Sequence, residues 1–163
     1  MSGLALFVTD GEGNRRPAAT ISPLGRTARS NRTLARVIRH PATNPQGIGL
    51  IVDGALVGIT MIERRAGHIF FHPTITENAS RYESTRRTPR RFYGVGRALV
   101  VAAVRFSVDL GFEGCVATAT SHRSRGFFER LGFEDASDTL RILQGESLSR
   151  FIAENNALYG CFN

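Results

Sequence analysis

The sequence predicts an α/β chain of the α+β type, with a strand meander in its first half and helices alternating with strands in its second. Three observations predict it. Ile48–Val52 and Ala55–Ile62 are apolar runs joined by Asp53-Gly54, a two-residue loop that favours the type I′ hairpin turn. Gly94-Val95-Gly96 stands directly before Leu99, Ala103, Phe106 and Leu110, which recur at helical spacing. Leu-Gly-Phe occurs twice, at 110–112 and 131–133, each time as a helix stop in which Gly supplies the left-handed turn and Phe folds back.

The elements follow in order. Gly3–Thr9 alternates and ends in Asp10-Gly11, a first strand and its turn. Ser22-Pro23 reads as a helix start, and Asn31–His40 as an amphipathic helix through Leu34, Val37 and Ile38. Ala55–Ile62 is apolar on both faces and is expected as a central strand. Ala66-Gly67 turns the chain into a third meander strand, His68–His72. Residues 76–90 are rich in Arg, Ser and Thr, an insertion or long loop of the kind that tends to be functional or disordered; Tyr82–Thr85 could form a short strand within it. A helix over 96–110, a strand over 115–120, a short helix over Arg123–Leu131 capped by Ser121, a strand over Thr139–Leu143 and a terminal helix over 147–159 complete the chain.

At 163 residues this is one domain, 1–163, large enough for a core without staples. No apolar run approaches the roughly 20 residues of a membrane span, and no secretory signal is visible. Cys115 and Cys161 make neither a disulfide framework nor a metal spacing, so a cytoplasmic, reduced chain is expected. The net charge is +7, and all 21 basic residues are arginine. Arginine's planar fork suits phosphate oxygens, which points to a phosphate-rich ligand or RNA. The arginines are spread along the chain rather than confined to one block, however, which favours a base-composition bias as their explanation.

The chemistry sits at the glycine loop. Backbone amides at Gly94-Val95-Gly96 can approach an anion, and the following helix turns its unpaired N–H groups and positive dipole end to the same place. Arg91 and Arg97 add charge beside it. A P-loop needs lysine, and this chain has none; a dinucleotide fingerprint needs a third small residue where Leu99 stands.

Arg91-Phe92-Tyr93-Gly94-Val95-Gly96 fits in full the Arg/Gln-x-x-Gly-x-Gly/Ala loop of the GCN5-related N-acetyltransferase (GNAT) superfamily. The helix, the strand and Phe127-Phe128-Glu129-Arg130-Leu131-Gly132-Phe133 follow at that family's order and spacing, so that the chain resembles it over Arg91–Phe133. The resemblance implies a mixed, largely antiparallel central sheet flanked by helices and splayed near its middle, with the pantetheine arm of coenzyme A in the gap. It implies acetyl-CoA as cosubstrate, held by Arg91, Phe92, Tyr93, Gly94, Val95, Gly96, Arg97 and Ala98, with Ser121 and Phe127 nearby. The reaction implied is direct attack of a primary amine on the thioester through a tetrahedral intermediate. The acceptor would be a small molecule, a protein amine or an aminoacyl-tRNA. A homodimer is left open.

The chain departs from that family in three places. Aligning on Gly132-Phe133 puts Ser121 where many relatives have Asn, and Phe128 where they have a Tyr that protonates the leaving thiolate. Residues 76–90 separate the third meander strand from the loop, and a terminal helix stands where a last strand is expected. For the missing roles the candidates are Glu63, His122 and Tyr93, although a strand-end Glu is ordinarily a solvated charge and a helix-start His a surface residue. Tyr82 could also reach the site, whereas Tyr159 reads as packing. His68 and His72 share a strand face, but two His without a third ligand rarely mean zinc, and no metal is assigned. Two other functions compete: a GNAT-fold domain that binds coenzyme A without catalysis, and a small nucleic-acid-binding module, weakened by the lack of an Arg-rich helix in a helix-turn-helix context.

Overall fold

The computed structural model describes residues 5–21, 46–72, 75–76, 91–160 and 162. The helix expected over 31–40, the 76–90 insertion beyond Thr76, Tyr82 and Cys161 lie outside them. The described strands are β1 (Leu6–Asp10), β2 (Arg15–Ile21), β3 (Gln46–Val52), β4 (Ala55–Arg65), β5 (His68–Phe71), β6 (Ile75–Thr76), β7 (Phe92–Tyr93), β8 (Val116–Ala119), β9 (Glu134–Asp135) and β10 (Leu140–Leu143). The described helices are α1 (Val95–Asp109), α2 (Arg125–Arg130) and α3 (Gly145–Tyr159). One sheet runs in the order β7-β1-β2-β3-β4-β5-β8-β10-β9, with β6 on β4. Among the described pairs all are antiparallel except β5 with β8. The sheet is therefore mixed and largely antiparallel, as expected.

The Asp53-Gly54 hairpin forms, with positive φ at both residues (50° and 75°), as a type I′ turn demands. β2 was not expected, because Pro17 lies inside it. The ladder explains the tolerance: Pro17 pairs with Phe7 of β1, while pairing with β3 starts only at Ala18. Pro17 thus sits where β2 is still an edge on its other side. In β4 one residue is extra, since Leu50 faces Gly58 and Ile51 faces Leu56. That bulge at Val57 lets Val57 and Ile62 join the same core.

α1 is buried more completely than its amphipathic spacing implies. Ala98–Val104 is an unbroken run of fully buried residues, and the helix touches β1, β3, β4, β5 and β8. An apolar surface on every side is what a helix buried on every side requires. On the sheet, Ile69, Phe71 and Val116 meet Leu99 and its neighbours, and Phe128, Phe133 and Phe151 extend that core. α3 runs to Tyr159, whose ring lies 4.9 Å from Phe7 of β1.

Candidate functional site

β5 and β8 are parallel and joined through α1, so α1 runs back against them. Its first turn consequently lies at their carboxyl ends, where ligands of open α/β sheets bind. Side chains mark both ends of the helix. The Ser107 hydroxyl donates to the Cys115 carbonyl at the start of β8 (2.9 Å), whereas Gly96 packs beneath Phe127 of α2, which follows the end of β8.

At that same end the sheet opens. β5–β8 pairing stops at Phe71 opposite Thr118. From there each strand stays with its outer neighbour. The His72 N–H donates to the Met61 carbonyl (2.8 Å), and β6 continues along β4 with Ile75 opposite Ile59. On the other side Ala119 pairs with Leu140, and the Thr120 N–H donates to the Thr139 carbonyl (2.9 Å). Among the described residues no pairing joins β5 and β8 beyond this rung, which leaves a gap between them where the family resemblance implies a splay. Two hydroxyls secure its edge: Thr118 Oγ1 donates to the Phe71 carbonyl (2.7 Å) and Thr60 Oγ1 to the His72 carbonyl (3.1 Å). Neither threonine was singled out from the sequence, and a single buried Thr in an apolar run carries little signal there.

The glycine loop borders this end. β7 lays Phe92 and Tyr93 against Asp10 and Thr9 of β1, which fixes the loop to a sheet edge. Gly94 occupies the cap position of α1 with φ 85°, a left-handed conformation that favours glycine. It provides no side-chain cap, the first turn contains no acidic residue, and the first hydrogen bond into the helix is Ala98 N–H to the Gly94 carbonyl (3.0 Å). The N–H groups of Val95, Gly96 and Arg97 therefore have no partner within the helix. A Cβ on Gly96 would come within 3.0 Å of the Phe127 ring, so glycine there permits the close packing of α1 and α2. Arg91 is exposed with its guanidinium 5.1 Å from the Phe92 ring, Arg97 is half-buried, and Phe92, Val95 and Ala98 are core residues.

The other expected site residues are distributed unevenly. Ser121 does not cap α2; Ser124 holds that position, and Ser121 opens the turn before it, its carbonyl accepting from the Ser124 and Arg125 N–H groups (3.1 and 3.0 Å). The Ser121 hydroxyl instead accepts from the Ser124 N–H (3.3 Å) and the Ser124 hydroxyl from the Ser121 N–H (3.0 Å), so the two serines close the turn that precedes α2. His122 follows in that turn, exposed. Tyr93 is 47% exposed on β7, with three strands between it and Glu63 on β4, so the fold does not bring these two together through the sheet. Phe128 is buried among Phe71, Phe127 and Phe133 at ring distances of 6.1, 5.0 and 5.1 Å. Glu63, in contrast, has a partner that sequence reasoning passed over: His72 Nε2 lies 3.2 Å from its carboxylate, as does the Arg65 guanidinium. Arg65 first and His72 second hold the Glu63 carboxyl below its ordinary value. Among the described residues no group of three His, Cys, Asp or Glu side chains gathers at metal-binding distance.

No family model matches the chain, and no curated protein matches it. Among solved structures it is similar to the PaiA N-acetyltransferase from Thermoplasma acidophilum in complex with coenzyme A, at 17% identity over 72% of this chain and 71% of that one, with a TM-score of 0.44.

Proposed function

We propose that the chain is an acyl-CoA-dependent N-acyltransferase of the GNAT type, which passes an acetyl group from acetyl-CoA to a primary amine. The observation that carries this reading is the coincidence of two features at one end of the sheet: the gap after Phe71 and Thr118, and the uncapped first turn of α1 behind a left-handed Gly94. A ligand with a diphosphate at one end and a narrow extended arm fits both. The Arg91–Ala98 loop and helix start would hold the diphosphate through backbone N–H groups, with Arg91 and Arg97 supplying charge. The arm would run into the gap beside Phe127 and the Ser121 turn, where strand-end backbone groups can orient the thioester. Glu63, His122 and Tyr93 are the polar candidates for proton transfer, of which Glu63 has the most developed surroundings. The fold of the Arg91–Phe133 stretch, helix, strand and short helix in that order, supports the family resemblance of its sequence. A cytoplasmic site of action agrees with the ligand, and the acceptor is a small molecule, a protein amine or an aminoacyl-tRNA.

Calorimetry and thermal melting with acetyl-CoA test the loop. At a hundredfold excess over Kd, ligand linkage adds about 2.7 kcal/mol, and hence a melting shift of about 5–10 °C for a chain of this size. No heat and no shift would sink the assignment. A second reading, binding without catalysis, draws on Phe128, whose ring has no proton to give. It predicts that acetyl-CoA binds and that no CoA is released with any amine or charged tRNA.

A further inference from the structure

The sheet gap has two faces, and the outer one contains a titratable pair. Side chains alternate along β5: Ile69 and Phe71 enter the core beside α1, so Phe70 and His72 lie on the opposite face. Glu63 stands opposite Phe70 on β4 and shares that face. His72 is the first residue past the last β5–β8 pair, so its ring stands at the point where the strands part.

That ring is held at its Nε2 edge and against Phe70. Its backbone N–H and carbonyl are fixed by Met61 and Thr60, and it packs edge-on to Phe70 at 4.9 Å. Nε2 meets one oxygen of Glu63 at 3.2 Å, and the Arg65 guanidinium meets the same oxygen at 3.2 Å. Arg65 in turn lies 3.9 Å from the centre of the Phe70 ring. His72 and Glu63 nevertheless remain one-third exposed, so a solute can reach them. An ionised Glu63 can only accept, so Nε2 carries the ring's proton toward it, and Nδ1 is left with the lone pair. A base oriented by a carboxylate, at the mouth of a gap, is a proton-transfer constellation.

We propose that His72 is the general base of the transfer reaction, and that Glu63 is its positioning residue. This rests on the acyltransferase reading of the same site. α1 packs on the face of Ile69 and Phe71, so an arm that starts at its first turn and passes through the gap would bring the thioester out on the face of His72. Nδ1 takes one proton from the acceptor ammonium, and the freed nitrogen lone pair forms the C–N bond while the carbonyl π pair moves to oxygen. As the oxyanion pair re-forms the C=O bond, the C–S bond breaks, its electron pair leaves with sulfur, and the second amine proton ends there as the thiol. His72 then releases its proton to solvent. This balance asks for no tyrosine at position 128.

The test is steady-state kinetics of the whole chain with acetyl-CoA and an amine panel, together with the melting shift that acetyl-CoA induces. His72→Gln should keep that shift and lose about a hundredfold or more in kcat. His72→Ala should regain activity on addition of imidazole. Glu63→Ala should lower kcat about tenfold at unchanged acceptor KM, the rate equivalent of one charge-assisted hydrogen bond, and Glu63→Gln should recover part of it. His72→Gln within twofold of the unaltered chain, with the shift intact, overturns the assignment of His72 alone. An unaltered chain with no shift overturns the site reading and this proposal together.

Discussion

The last rung between β5 and β8 is closed by a side chain, since the fully buried Thr118 donates its hydroxyl to the Phe71 carbonyl at 2.7 Å. Thr118→Val keeps the volume and removes the donor, leaving a buried carbonyl one bond short. The expected cost is about 1–2 kcal/mol, read as a lower urea midpoint at unchanged slope. An unchanged midpoint would mean that the carbonyl finds another donor. Gly94 poses the complementary case, because no atom crowds the place of its Cβ and only the backbone resists a side chain. With φ at 85°, Gly94→Ala should cost about 1–2 kcal/mol through the left-handed conformation. If the turn relaxes to escape that strain, α1 loses its cap geometry, and the acetyl-CoA melting shift should shrink by more than stability alone explains.

α2 is held to the sheet by charge more than by length. Arg141 of β10 is buried and reaches Glu129 of α2 at 3.1 Å and Asp135 of β9 at 2.6 Å, while Arg125 adds a bond to Glu129 at 3.0 Å. The carboxylates face water, so Arg141→Met strands no buried anion; the loss is that of charge-assisted hydrogen bonds, about 1.5–3 kcal/mol. The Arg125 hydrogen bond, and Arg141 nearby, hold the Glu129 carboxyl below its ordinary value. A depressed carboxylate contributes stability above the ordinary carboxylate range, and that contribution is lost as pH falls through the folded value. Melting temperature should therefore drop on acidification below about pH 4–5, and Glu129→Gln should flatten that limb. An identical acid limb in the variant would remove Glu129 from the account.

Elements were legible where local chemistry decides them and obscure where pairing does. The Asp53-Gly54 hairpin, α1, β8, β10 and α3 could all be read from turn residues and periodicity. β2 could not, because Pro17 speaks against a strand and only the staggered start of the β3 ladder excuses it. β7 is two residues long and exists only because β1 offers an edge to Phe92 and Tyr93. At the site, the glycine loop was legible because glycine leaves a sequence trace when φ must be positive. The Glu63–His72 pair was not, since its partners are nine residues apart and meet only through the β4–β5 register.

For the whole molecule the governing quantity is a charge of +7 supplied by arginine alone. Such a chain attracts any polyanion, and retention on RNA by itself would say nothing about the gap. The two modes of binding differ in what they depend on. Attraction of a spread-out arginine surface to RNA comes from counterion release, so its logarithmic affinity should fall steeply and linearly with the logarithm of salt. Acetyl-CoA at α1 would instead be held largely by oriented N–H groups and by apolar contact in the gap, which salt screens far less. Gly94→Glu separates them: it places a like charge against the diphosphate and strains the turn, yet changes the net charge by only one. The expected outcome is loss of the acetyl-CoA melting shift with RNA retention nearly unchanged at low salt, measured by filter binding across a salt series. If RNA retention collapses together with the acetyl-CoA shift, the loop itself binds the nucleic acid, and an RNA-linked amine becomes the acceptor class to pursue.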